Sequence, residues 1–248
     1  MSADAPALKS IPLWPVPLLV AAVPFIAAHL AYAVSIHAGH VPSCIPYFEG
    51  CTSISRAARH GLGNHLFRLL MLPSALLLAL HWLSVRGWLR LHHPDPRAGR
   101  SLVLLAPFAG IALATYVAFL GTDGDIYRWL RRNGAQLYFA SVYIAQLVFL
   151  HRYRQLIAQG HAADDNRAAK FSGKNIAKTM LAINLAMLAL GVSYTVVANS
   201  FGDDDLKDRM ENLLEWHIGL LMTGWYVLQA VVWRNSTFAT TLTKTMDR

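Results

Sequence analysis

The sequence contains little charge for its length. Of its 248 residues, 15% are charged and 55% are hydrophobic, whereas a soluble domain carries about 25% charged residues. This deficit argues against a water-soluble enzyme. It also excludes an intrinsically disordered chain, which needs low hydrophobicity and high charge. The remaining classes are a membrane protein and an unusually apolar soluble protein, and the distribution of apolar residues along the chain distinguishes them.

The sequence also lacks the motifs of common cofactor and nucleophile sites. It has no phosphate-binding loop of the form G-x-x-x-x-G-K-S/T, no G-x-G-x-x-G and no G-x-S-x-G. We therefore predict no cofactor and assign no catalytic residue. The net charge of +8 is attributed to membrane topology and to contact with anionic lipid. Nucleic-acid binding would require a soluble basic face, so no nucleic-acid partner is expected.

The apolar residues are gathered into six long runs, of which the second contains Arg68 and the sixth contains Glu215. A bilayer core about 30 Å thick requires roughly 20 apolar residues in a helix. Lipid leaves no hydrogen-bond partner for open strands. The sequence therefore predicts an all-α, polytopic membrane protein whose single domain, 1–248, is a bundle of six transmembrane helices. The predicted spans are 16–36, 66–85, 101–121, 134–152, 178–200 and 212–233.

The first run has an alternative interpretation as a cleaved secretory signal, because Ala31, Tyr32 and Ala33 have the small-x-small form of a cleavage site. The run is longer than the usual signal core of roughly 7–15 residues. Lys9 is also the only positively charged side chain before it. We therefore favour a helix that is retained as a membrane anchor.

Lys and Arg residues are distributed unequally between the two sets of connections. More of them lie on the side of the two termini, in segments 86–100, 152–178 and 234–248, than on the opposite side. Because Lys and Arg are enriched in cytoplasmic loops, the sequence predicts a multi-pass membrane protein with cytoplasmic N- and C-termini.

The chain has only two cysteines, Cys44 and Cys51, both in the predicted outer connection 35–65. The outer side is oxidising in a bacterial envelope or a secretory compartment, so we predict a disulfide that staples this loop. Two free thiols, or a partial metal site with nearby histidines, are the alternatives. No metal site is predicted, because the H-x-x-H at His37 and His40 lacks a further carboxylate or cysteine in fixed geometry.

Ionisable residues near the outer ends of the spans are the candidates for function. A charge inside lipid costs at least a few kcal/mol, so it faces a partner or a cavity. Glu215 is interpreted as the partner of Arg68 in a structural ion pair, as a contact to a ligand or headgroup, or as a catalytic group. An arginine at this boundary suits a lipid phosphate. The predicted lipid-binding residues, beneath the loop 42–55 as a lid, are Arg56, Arg68, Glu215, Trp216 and His217.

Several short motifs in the chain have counterparts in a known family. The outer loop carries a P-x-x-S-like segment, an aromatic–Arg pair enters the second span, a Gly-Ala-x-x-x-Phe element opens the fourth, and a Glu-Trp pair starts the sixth. These are represented here by Pro46, Ser53, Ser55, Phe67, Arg68, residues 134–139, Glu215 and Trp216.

In these motifs and in its six-span layout, the chain resembles a six-helix membrane family. That family contains the DRAM autophagy modulators and the post-GPI-attachment lipid-remodelling factors (FRAG/SFK-type, CWH-N-terminal-like). The chain departs from the family at Arg131, Arg132 and Asn133, where relatives place a histidine. The resemblance implies work on lipids, such as remodelling of an anchored lipid, or a role in membrane organisation and trafficking.

The leading functional prediction is an integral membrane protein that binds or helps to remodel a lipid headgroup at the outer side. The alternative is a membrane scaffold or regulatory subunit without a small-molecule ligand. Membrane lipids are the expected partners, and another membrane protein is a further expected partner. A transporter is disfavoured, because the sequence shows neither paired half-repeats nor broken helices near the midplane.

Overall fold

The computed structural model describes residues 10–160, 172–200 and 203–239. Within them the protein is all-α, with 79% of the residues helical. The elements are β1 (Ser10–Pro12), α1 (Pro15–His37), α2 (Pro46–Glu49), α3 (Ile54–Ala57), α4 (Gly61–His92), α5 (Leu102–Ala118), α6 (Asp125–Ala158), α7 (Gly173–Ser200), α8 (Asp204–Val232) and β2 (Thr237–Ala239).

Each of the six predicted spans coincides with one long helix. By length and composition, three of the described helices are able to cross a membrane: α1, α4 and the Gly173–Val196 part of α7. Helix α5 is apolar but shorter. Helices α6 and α8 begin about two turns earlier than their predicted spans, because the charged segments 125–133 and 204–211 continue the helices outside the apolar runs.

The long helices form a closed ring. Consecutive long helices pack on one another, and α8 returns to pack on α1. Strands β1 and β2 pair antiparallel, with Ser10 opposite Ala239, so the two ends of the described chain meet. We call this end of the bundle the terminal end, and the opposite end, which carries α2 and α3, the loop end.

The bundle buries some polar side chains within a largely apolar core and carries large apolar side chains on its outside. His81 and Gln146 are completely buried, whereas Leu69 and Leu104 are 69% and 77% exposed. Inside, His81 Nε2 and Gln229 Oε1 form a hydrogen bond of 3.0 Å between α4 and α8. An apolar outer surface is expected of a protein whose surroundings are lipid, and it agrees with the three helices that are able to cross a membrane.

Part of the orientation prediction lies beyond the description of the structure. The basic residues Lys9, Arg167, Lys170, Lys244 and Arg248 fall outside the described residues. The antiparallel pairing of β1 with β2 places both ends of the described chain on one side of the bundle.

Candidate functional site

The predicted disulfide is confirmed: Cys44 and Cys51 are joined, and the described chain has no free cysteine. The loop that it closes contains α2. Gly50, the residue that follows this helix, has φ +62°. A Cβ atom at Gly50 would lie 2.7 Å from the backbone oxygen of Arg209 in α8. Glycine is therefore needed at Gly50 both for the left-handed backbone and for the close approach of the loop to α8.

One face of α8 holds the backbone of this loop. Asn212 Nδ2 donates to Gly50 O at 2.8 Å, and Trp216 Nε1 donates to Thr52 O at 2.9 Å. Asn212 and Trp216 are buried. Because buried carbonyl groups need a partner, these side chains give the loop a fixed position over α8.

Glu215 holds the next segment of the loop, at the start of α3. Its carboxylate accepts from Ser55 N at 3.0 Å and from Ser55 Oγ at 3.1 Å. Helix α1 contacts the other side of the loop, where Ser35 Oγ donates to Ala57 O. Tyr32 Oη accepts from Cys44 N at 3.0 Å and donates to Cys44 O at 2.8 Å. The stapled loop is therefore fixed between α1 and α8.

Arg68 has a structural task at the end of α5. Its guanidinium donates to Ala118 O at 2.6 Å, to Leu120 O at 2.7 Å and to Val117 O at 3.3 Å. These carbonyls belong to the last turn of the helix and to the residues after it, where a carbonyl lacks the regular α-helical N–H donor four residues later. None of the ion pairs between described residues joins Arg68 to Glu215. The prediction of a structural ion pair is therefore wrong, because Arg68 binds the carbonyls at the end of α5 and Glu215 binds Ser55 of the loop.

The remaining predicted residues lie around the start of α8. Arg56 Nη2 forms an ion pair of 2.6 Å with Asp208. His217 Nδ1 donates to Leu213 O at 2.8 Å within α8. The Trp216 ring makes edge contacts with the rings of His29, Tyr32 and Tyr47 at centroid distances of 5.3 to 5.6 Å. Trp216 is thus the centre of an aromatic cluster between the loop, α1 and α8.

A cavity of about 110 Å³ lies directly below this cluster. Glu215 and Trp216 line it from α8, and Tyr47 lines it from the loop. Tyr116 and Tyr138 add hydroxyl groups from α5 and α6. Most of the other lining residues are apolar or aromatic, among them Val20, Phe25, Phe67, Met71, Leu113, Phe139 and Met222.

Tyr47 lies at the loop side of this cavity. Its hydroxyl is 3.1 Å from His29 Nε2. Burial raises the pKa of Tyr47 above its ordinary value of 10.0, because the anionic form loses hydration. Tyr47 therefore stays a neutral hydrogen-bonding group at physiological pH.

The sequence prediction did not include Arg131, which lies at the loop end of α6. Ala135 and Tyr138, four and seven residues later, line the cavity, so helical periodicity places Arg131 one turn above it on the same face. Arg131 Nη1 donates to Thr122 O at 3.4 Å. Burial lowers the pKa of Arg131, and the nearby Arg59 lowers it further. The spacing of Arg131, Ala135 and Tyr138 in the sequence is the signal that identifies this residue.

Several of the motif residues identified in the sequence lie at this cavity. Phe67 lines it from α4, and Ala135 and Phe139 line it from α6. Trp216 lines it from α8, and Ser55 binds Glu215 at its wall. Residues that are far apart in the sequence therefore contribute to one place in the fold.

The histidines of the loop end do not form a metal-binding group in the part of the chain that the structure describes. The rings of His40 and His60 lie 5.7 Å apart. Among residues 10–160, 172–200 and 203–239, no three or more His, Cys, Asp or Glu side chains are grouped as metal ligands would be.

Comparison with protein-family models, with curated proteins and with solved structures found no match to this chain.

Proposed function

We propose that all six long helices cross the membrane, with the loop end outside and both termini in the cytoplasm. Every long helix carries large apolar side chains that point away from the bundle, as lipid contact requires. Examples are Ile26, Leu69, Ile111, Ile144, Leu185 and Val227, each at least 40% exposed. The ring arrangement supports the same conclusion, because α5, α6 and α8 pack beside the three helices that qualify by length and composition.

We propose that the protein binds, or helps to remodel, a membrane lipid at the loop end. The cavity below the stapled loop is the observation that carries this proposal. Its wall has a carboxylate, Glu215, close to the loop, and it is apolar at Met222, seven residues or about 10 Å deeper along α8. A cavity that is polar at the membrane boundary and apolar below suits an amphiphile.

The predicted lipid-binding residues have different parts in this proposal. Glu215 and Trp216 contact the ligand directly, because both line the cavity. His217, Arg56 and Arg68 act around it: His217 packs against Tyr47, Arg56 pairs with Asp208, and Arg68 holds the end of α5. The resemblance to the lipid-remodelling family points to the same class of ligand. No catalytic step is assigned.

Filling the cavity tests the proposal. Gly219 lines it, and a Cβ atom there would have only an ordinary contact of 3.5 Å with Ile54. The substitution Gly219→Leu therefore extends a side chain into the cavity without a backbone clash. Gly224→Leu is the matched control, because Gly224 faces Ile183 of α7 instead. We expect Gly219→Leu, but not Gly224→Leu, to lose a lipid that co-purifies with the parent protein, as measured by lipid mass spectrometry.

Two charge variants complete this experiment. Glu215→Gln removes the carboxylate from the cavity wall and is expected to change the set of co-purified lipids, whereas Arg68→Ala is expected to act through the position of α5. If all these variants retain the lipids of the parent, the cavity binds no lipid. The alternative of a scaffold or regulatory subunit, in which Glu215 only fixes the loop, would then be favoured.

A further inference from the structure

One wall of the cavity carries a carboxyl group, that of Glu215. Glu215 accepts two hydrogen bonds from Ser55, but the described ion pairs do not include it. Among the described residues that line the cavity, none is Lys or Arg. A buried carboxylate is stabilised by a nearby cation. A cationic group of a bound molecule would therefore find a carboxyl partner at Glu215.

A second, opposite charge lies at the rim of the same cavity. Arg131 and Arg59 flank the turn between α5 and α6: Arg131 donates to Thr122 O, and the backbone of Arg59 contacts Gly121. No ion pair between described residues includes either arginine, and Arg59 Nε is buried without a hydrogen-bond partner. Two neighbouring guanidinium groups that form no ion pair are suited to a phosphate, which accepts several charge-assisted hydrogen bonds.

Tyr116 lines the cavity and interacts electrostatically with Glu215, Arg131 and Arg59. Arg56 is paired with Asp208, and Arg68 binds the carbonyls of α5. The outer part of the cavity therefore offers one site for a cation and one for an anion.

We propose that the ligand is a lipid with a zwitterionic headgroup, whose ammonium group contacts Glu215 and whose phosphate contacts Arg131 and Arg59. This inference rests on the proposed lipid binding and specifies its headgroup. The aromatic rings of Tyr47 and Trp216 beside Glu215 favour an alkylated ammonium group, which aromatic faces attract. A water molecule needs about 10–15 Å³ of cavity volume, and a non-hydrogen atom of a ligand is of similar size. A cavity of about 110 Å³ therefore accommodates a group of roughly seven to eleven non-hydrogen atoms.

Three lipids with the same acyl chains and different headgroup charges test the proposal. Purified protein in an uncharged detergent is offered dioleoyl phosphatidylcholine, dioleoyl phosphatidylglycerol or dioleoyl trimethylammonium propane, and bound lipid is counted by native mass spectrometry. The zwitterionic lipid is expected to bind on the order of tenfold more tightly than the other two, because each of them lacks one charged contact. Glycerophosphocholine, which has no acyl chains, is expected not to displace it.

Matched variants assign each charge to its residue. Glu215→Gln is expected to remove the preference over phosphatidylglycerol, whereas Glu211→Gln, one turn away on α8 and exposed, keeps it. Arg131→Gln is expected to remove the preference over the trimethylammonium lipid. Arg131→Lys, which keeps the charge, and Arg132→Gln, at an exposed neighbour, are expected to retain it. If Glu215→Gln does not fold, the Arg131 series carries the test alone.

The outcomes separate this inference from the proposed function. Equal binding of the three lipids by the parent, or equal effects of Glu215→Gln and Glu211→Gln, would overturn the proposal of a zwitterionic headgroup. The proposal of lipid binding would remain. Displacement by glycerophosphocholine at equal concentration would show that the site binds a free headgroup instead of a lipid. Binding of none of the lipids would overturn both proposals.

Discussion

At the scale of single residues, the indole of Trp216 joins the loop to the bundle. Its Nε1–H group donates to Thr52 O at 2.9 Å, in a fully buried position. Trp216→Phe keeps an aromatic ring and leaves this carbonyl without its partner, which costs about 1–3 kcal/mol for a buried polar group. We expect a lower midpoint in thermal unfolding of the detergent-solubilised protein. Trp129→Phe, at a position that is 63% exposed, is the control, and equal midpoints for the two variants would contradict the prediction.

The same scale shows why the site was only partly predictable from the sequence. Glu215 and Trp216 stand out in the sequence, because a charge and an indole near a membrane boundary require partners. Their partners are backbone groups at Ser55 and Thr52, which no residue pattern distinguishes. The opposite charges of Arg68 and Glu215 near the outer ends of their spans predict an ion pair that the structure does not contain. The early end of α5, which leaves carbonyls for Arg68 to bind, has no signal in the composition.

At the scale of the helices, Gly134 determines how closely α5 and α6 approach. A Cβ atom there would lie 2.8 Å from Tyr116 N and 3.0 Å from Ala112 O, both of them backbone atoms of α5. We expect Gly134→Ala to destabilise the protein by about 1–3 kcal/mol, the usual cost of overpacking, in chemical unfolding followed by tryptophan fluorescence. In contrast, Gly191→Ala in α7, where a Cβ atom would have no neighbour within 4 Å, is expected to be neutral or to stabilise by up to about 1 kcal/mol. Similar losses at both glycines would show that the helix contact is not the cause.

The positions of the helices were predictable, whereas their ends were less so. Apolar runs of about 20 residues, the length that a bilayer requires, identify the middle of each long helix. The segments 125–133 and 204–211 are polar, and they continue α6 and α8 as helices. Such extensions depend on local helix-forming interactions. Asp203, which accepts from Asp205 N and Leu206 N at the start of α8, is one example.

At the scale of the whole molecule, the ring of six helices determines where each connection lies. The helix ends at His92, Leu102, Ala158 and Gly173 lie at the terminal end, and the helix ends at Ala118, Asp125 and Asp204 lie at the loop end. Periodicity alone does not predict this ring, because it does not say which helices are neighbours. The paired strands β1 and β2 close the ring at the terminal end, and the disulfide-closed loop covers the opposite end.

This arrangement leads to a prediction about the membrane that single cysteines test. The native cysteines form a disulfide, so a new thiol at an exposed position is the reactive one. We expect a membrane-impermeant maleimide added to intact cells to label Asp123→Cys and Asp205→Cys at the loop end. It is expected not to label Arg97→Cys and Gln159→Cys at the terminal end. All four positions are exposed in the protein, so all four should react after lysis.

Six crossings require this alternation along the chain, because each helix that spans the membrane places the connections at its two ends on opposite sides of it. If α5 or α6 lay outside the bilayer, the connections on either side of that helix would react alike, and the six-span proposal would be wrong.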